Sequence, residues 1–187
     1  MTFDPFGDFA TEGYLRNFEK EQDLAIVKRA ESASFMTGLD DAFATLAKSK
    51  ELSYNDVLKA HNILFSAIYP WAGLDRTQTA PNLTIKKGPV IFANAPEIRA
   101  AVEFALRKGQ DKDYMKAKPG EIMGYLAYGH PFLDGNGRTI MTVHSVLAQR
   151  AGFSIDWSAT AHQGNRKPSE RPSRRLPEAV HARSDRL

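Results

Sequence analysis

His130-Pro131-Phe132-Leu133-Asp134-Gly135-Asn136-Gly137-Arg138 joins two stretches of helical periodicity. Within nine residues it gathers an ionisable ring, a carboxylate, two glycines and an arginine. Gly135 and Gly137 let the backbone approach an anion and turn its N–H groups inward, and the helix that starts there adds its positive dipole end. Arg138, in the first turn of that helix, opposes the dipole and gains nothing from a structural role there. A bound phosphate, gripped by two nitrogens of the fork, accounts for its placement. Asp134 is a hard oxygen ligand suited to Mg2+, which keeps several waters and takes only one or two carboxylates beside substrate phosphates. His130 titrates near neutrality and can accept a proton from an attacking hydroxyl. Asn136 either donates to a phosphate oxygen or orients the loop, and Phe132 reads as the anchor that fixes the loop between its helices.

Working outward, apolar residues recur at spacings of three and four. Leu24, Val27 and Ala30, then Leu39, Ala42, Phe43 and Leu46 after Gly38, predict a long or kinked first helix. Ser53 is a plausible N-cap for a second, with Tyr54, Val57, Leu58, His61, Leu64, Phe65 and Ile68 on one stripe, ending before Pro70. A third follows Pro96 and carries Ile98, Ala101, Val102, Ala105 and Leu106, closing near Lys108-Gly109. Another follows Pro119 and ends near Gly129, and the last runs from about Gly137 to Ala151. Leu83 and Ile85, then Val90 and Phe92, alternate about Lys86-Lys87-Gly88-Pro89, which reads as a hairpin turn.

The 187 residues, 42% hydrophobic and 25% charged, suit one main domain. With no cysteine, neither a disulfide nor a thiolate metal site holds the fold. No run approaches the roughly 18 apolar residues of a membrane span, and MTFDPFGDF lacks the basic-then-apolar order of a signal peptide. A cytoplasmic location is expected, or secretion as an effector by a route that leaves no such mark; no membrane partner is implied. The net charge is +3, but residues 158–187 alone supply +4, leaving −1 on the rest and no basic face to favour nucleic acid. That segment, rich in Arg and Pro and poor in large apolar residues, cannot offset its ordering entropy by burial. The expected division is therefore a catalytic domain at 1–157 and a basic, mobile tail at 158–187.

The loop resembles the signature of the Fic family, H-P-F-x-D/E-G-N-G-R-x-x-R, at eight positions, all but Leu133, in fixed order. That order outweighs the plain reading of a glycine-rich helix connection with a capping Asp or Asn. Tyr69-Pro70-Trp71-Ala72-Gly73, followed by Arg76, is similar to the family's stretch before its flap, and Gly13-Tyr14-Leu15-Arg16-Asn17 resembles a common opening. The likeness extends over roughly residues 13 to 157. It implies an all-α core with a small β-hairpin flap and an enzyme that transfers AMP from ATP, with Mg2+, to a Ser, Thr or Tyr hydroxyl of a target protein. His130 is then the general base and Asp134 the metal ligand. Gly135, Asn136, Gly137 and Arg138 form the phosphate cradle. The flap, at Ile85, Lys86, Lys87 and Gly88, aligns the target by strand addition. For Lys86 and Lys87 themselves an exposed turn is the simpler reading than contact with phosphate or target. Transfer of UMP, phosphate or phosphocholine belongs to the same chemistry.

Two departures matter. The family's final arginine is Met141 here, and one lost charged hydrogen bond, about 1.5 to 3 kcal/mol, would weaken nucleotide binding ten- to a hundredfold. A Fic-like binding module without useful turnover is the contrasting reading. The family's restraining helix, S/T-x-x-x-E-G/N, has no intact copy. Only Glu12-Gly13 resembles its end, so a separate small antitoxin protein is expected to supply the brake, or none operates. His61 and His144 read as satisfied, partly buried rings, and Trp71 as a core residue before a base-stacking one.

Overall fold

In the computed structural model, which describes residues 2–3, 14 and 16–157, the longest helix starts at an aspartate. Asp23 accepts from the Ala25 N–H at 2.8 Å, and α1 (Leu24–Lys48) then runs unbroken. Gly38 does not kink it. A Cβ there would stand 2.7 Å from the Ile63 carbonyl oxygen, so the glycine lets α1 cross close against α2 (Tyr54–Phe65). The predicted Ser53 cap is present: the Asp56 carboxylate, three residues on, accepts the Ser53 N–H at 2.8 Å. α2 ends earlier than its stripe suggested, at Phe65, and Ser66 to Tyr69 continue as turns.

Two short helices lack a sequence signature because neither is long enough to display a period. α3 (Arg76–Thr79) begins at Asp75, whose carboxylate accepts from the Thr77 N–H at 3.0 Å. After a 3-10 turn at Ala95–Glu97 come α4 (Ile98–Gln110), α5 (Lys112–Ala117), α6 (Pro119–Gly129) and α7 (Asn136–Ala151). α4 packs on α6, while α7 touches α1, α2, α4, α5 and α6. That central position is why α7 buries residues around most of its circumference, from Asn136 and Thr139 to Leu147 and Ala151.

The hairpin joins β2 (Thr84–Lys87) to β3 (Val90–Ile91), with Lys86 opposite Ile91 and Lys87 opposite Val90. The four-residue turn expected at Lys86–Pro89 is therefore narrower: Gly88, at φ 55°, and Pro89 form it, and both lysines belong to the strand. A further strand, β1 (Thr2–Phe3), pairs parallel with β2, so the sheet order is β1-β2-β3. Residues 1–154 make up one compact unit, which contains every residue of the site. The tail at 158–187 and the Glu12-Gly13 pair lie outside the described residues. No helix among the described residues is long and apolar enough to cross a membrane.

Candidate active site

His130 closes α6 in the left-handed region, at φ 39°, where a side-chain-bearing residue costs about 1 to 3 kcal/mol. What holds it there is Arg76. This guanidinium, fully buried, donates from Nε to the His130 carbonyl at 2.8 Å, from Nη1 to Leu83 at 3.2 Å and from Nη2 to the Ala93 carbonyl. Its backbone N–H also reaches the Pro131 carbonyl at 2.8 Å. One side chain thus pins the start of the signature loop and both feet of the flap. Burial lowers Arg76 to about 10, still a cation at neutral pH.

The loop beyond His130 is equally constrained. Phe132 is fully buried, as expected of an anchor, and stacks on His61 with ring centroids 3.7 Å apart. Asn136 folds back on the loop, accepting the Phe132 N–H at 2.9 Å and donating to its carbonyl at 2.7 Å. Of its two possible roles the side chain therefore serves loop orientation. Gly135, at φ 75°, has no room for a side chain: a Cβ would meet Phe65 at 2.7 Å and His61 at 3.0 Å. Gly137 is the opposite case, since nothing lies within 4 Å of a Cβ built there.

His61 is a fully buried ring with both nitrogens engaged. Its Nδ1 accepts the Gly73 N–H at 2.9 Å, so Nε2 carries the proton and donates to the Asp134 carbonyl at 3.1 Å. Desolvation pushes it down to about 3, which keeps the neutral tautomer this bridge needs. It locks the loop to the Tyr69–Gly73 segment and is no ligand. His144 is likewise structural, with Nε2 2.8 Å from the Pro119 carbonyl. Trp71, 6% exposed, donates from Nε1 to the Arg16 carbonyl at 3.0 Å in the core.

The reading that Arg138 has no structural role is corrected by α1. Glu31, fully buried, accepts Arg138 Nη2 at 2.6 Å, and the guanidinium lies 4.8 Å from the Phe65 ring centroid. The partner is 107 residues away, which local reasoning about the helix dipole could not supply. Glu31 also accepts the Tyr69 hydroxyl and, at 2.9 Å, Lys28 Nζ. The same ammonium stands 2.8 Å from Asp134 Oδ2, while Asp134 Oδ1 accepts the Gly135 N–H at 2.7 Å. Two cations and two carboxylates thus connect α1 to the loop.

Three of these groups, all but buried Glu31, border a cleft of about 430 Å³, lined by His130, Leu133 and Asp134 to Arg138 on one side and by Leu24, Lys28 and Met141 around it. Position 141 does face the cleft. The first N–H groups of α7 have no acceptor within the helix, and their residues line this space, where a Cβ at Gly137 would meet nothing within 4 Å. Among the described residues no group of three or more His, Asp or Glu stands together to cage a metal. A single carboxylate at the cleft wall fits Mg2+, which draws its other ligands from water and phosphate.

His130 also borders the cleft, its ring stacked on Phe92 at 4.2 Å. Desolvation, then the charges of Arg76 and Lys87, push it down to about 3, so the imidazole is a free base at neutral pH. Of the flap residues, Ile85 is fully buried and presents only its backbone, whereas Lys86, Lys87 and Gly88 are exposed. Val90 and Ile91 are exposed on β3, the open edge of the sheet among the described residues, and β1 pairs with the other edge of β2.

Lys28, Glu31, Arg76 and His61 are the site-supporting residues that sequence reasoning passed over or underrated. One signal existed: Glu31 falls four residues after buried Val27, where the stripe of α1 calls for an apolar side chain.

Residues 51–148 match the sequence model of the Fic/DOC family. The chain is 32% identical over 165 residues to protein adenylyltransferase VbhT of Bartonella schoenbuchensis, covering 86% of this chain and 34% of that protein. It is 28% identical over 113 residues to protein adenylyltransferase Fic of Drosophila grimshawi, covering 59% of this chain and 23% of that one. The chain thus spans about a third or less of the curated relatives it matches. Among solved structures, the BepC protein of Bartonella tribocorum with bound AMPPNP superposes with a TM-score of 0.67 at 19% identity, over 83% of this chain and 82% of that one. An N-terminal Fic domain from Bartonella quintana gives 0.62 at 20%, over 79% and 75%. At such identities the likeness establishes the fold, a helical one with a small sheet.

Proposed function

From the premise that this chain belongs to the Fic/DOC family, we propose that it transfers AMP from ATP to a Ser, Thr or Tyr hydroxyl of a target protein. The observation that carries the reading is the meeting, in one cleft, of a neutral His130 and the open N-terminus of α7 across Gly137. The names of VbhT and of the Drosophila protein, both adenylyltransferases, support it.

The division of labour follows from the side chains. The α7 N–H groups and Arg138 would hold the nucleotide's phosphates, and Asp134 would hold Mg2+, which when bound neutralises phosphate charge. His130 accepts the proton of the target hydroxyl as its oxygen bonds to the α-phosphorus. The bond from that phosphorus to the bridging oxygen breaks, and pyrophosphate leaves. A general base contributes about 10²- to 10⁴-fold in rate. The target's backbone would pair with the flap, where β3 is the outer strand among the described residues and exposes Val90 and Ile91.

Intact-mass analysis after incubation with ATP and Mg2+, alone and with candidate targets, tests the proposal. The expected result is the mass of one AMP on protein, lost in His130→Ala. Labelling that survives this substitution would refute His130 as the base. An added mass of a different group would reassign the donor. Absence of ATP binding at millimolar concentration would refute the nucleotide reading and leave a binding module, the alternative that Met141 in the cleft favours.

A further inference from the structure

We propose that Lys28, on α1, is a phosphate-contacting residue of the cleft, whose ammonium turns from its carboxylate bridge to the anion bound at the start of α7. This rests on the nucleotide reading above and adds a residue that lies far in sequence from the signature loop.

Of the four linked charged groups, Lys28, Asp134 and Arg138 line the cleft and Glu31 is buried, and they are not equally committed. Arg138 is held by Glu31 at 2.6 Å and by the Phe65 ring, and 25% of its side chain is exposed. Glu31, without Lys28, still accepts both Arg138 and the Tyr69 hydroxyl, so its buried charge has partners. Asp134 keeps the Gly135 N–H on its other oxygen. Lys28 is the member whose departure leaves no buried group unsatisfied, and its side chain is 43% exposed. A flexible four-carbon stem carries its charge, and the cleft into which it can turn is the one it already lines.

Charge balance supplies the reason to move. Lys28 and Arg138 cancel Glu31 and Asp134, so the four groups together are neutral. Phosphates entering this space approach the Asp134 carboxylate, which Lys28 links to the buried charge of Glu31, and need a cation between. At position 141 the cleft offers only a thioether. The ammonium of Lys28 already stands at the surface of both carboxylates and can face the incoming charge while remaining near them. A purely structural bridge would instead be expected from a side chain buried as deeply as Glu31.

The test is ATP binding by calorimetry, in chelator and again with Mg2+, to the unmodified chain, Lys28→Met and Lys28→Arg. The methionine keeps the stem and removes the charge. Its ATP affinity should fall about ten- to a hundredfold, the range of one charged phosphate contact, and arginine should restore most of it. The rise in thermal midpoint that ATP produces should shrink in the methionine variant by a matching amount. If Lys28→Met does not fold, Lys28→Gln takes its place. Unchanged or tighter ATP binding in the uncharged variant, with a lower ligand-free midpoint, would make Lys28 a structural bridge and overturn the proposal while leaving the nucleotide reading intact. No ATP binding to the unmodified chain would overturn both.

Discussion

The signature loop, 130–138, and the flap, 84–91, hang from the same buried arginine but differ in what surrounds them. Along the loop, Phe132 and the Asn136 side chain are buried and Gly135 is sterically boxed, so its backbone has one arrangement. Along the flap only Ile85 is fully buried, and Lys86, Val90 and Ile91 face outward. The difference teaches how one site can serve two demands. On the proposed reading, phosphate geometry would be the same for every turnover, which a fixed cradle suits. A target chain would pair through its backbone, which tolerates varied side chains at an exposed strand.

Breaking the shared anchor should have the largest effect. Arg76→Ala removes the donors of three carbonyls, those of His130, Leu83 and Ala93. At about 1 to 3 kcal/mol for each buried group left unsatisfied, we expect a loss of about 4 kcal/mol or more in denaturant unfolding. A loss below about 1 kcal/mol would mean that loop and flap are held independently.

Next, Gly135→Ala should destabilise by about 3 kcal/mol, from contact with Phe65 and His61 and from the left-handed backbone. The neighbouring Gly137→Ala sharpens the contrast. It should leave the unfolding free energy within about 0.5 kcal/mol, or raise it slightly through helix propensity, yet weaken ATP binding because the methyl enters the cleft. Equal loss of stability in both would show that the space before Gly137 is not open.

Acidification tests the rigid region from another side. His61 and His130 are both pushed down to about 3 by burial, against an ordinary 6.5 in the unfolded chain. Between these values the unfolded state binds more protons, so stability is full above about 6.5 and declines as pH falls toward 3. The thermal midpoint should therefore drop between pH 7 and 5, and His130→Asn should reduce that slope. Direct titration by NMR should find both rings unprotonated at pH 5. The smallest effect belongs to the flap: Lys86→Ala should change stability by no more than about 0.5 kcal/mol, and a larger loss would remove the contrast with the loop.

Much of this was readable in advance because it is local. The cap at Ser53, the periods of α1, α2, α4, α6 and α7, and the glycine spacing of the loop are set by neighbours within a turn or two. α3 and α5 were not readable, since helices of four and six residues carry too little pattern. The loop's residue types marked the candidate site, but Arg138 was misjudged because its counter-charge comes from α1.

By itself, then, the sequence determined which long segments are helical, that a hairpin surrounds Gly88-Pro89 and which loop residues are ionisable, all consequences of short-range sterics and periodicity. Tertiary structure alone decided that Glu31 and Lys28 stand against the loop, that Arg76 ties loop to flap, and that His61 is a neutral bridge while His130 borders the cleft. Those outcomes depend on which distant side chain arrives within about 3 Å after packing, where burial makes each charge and hydrogen bond count.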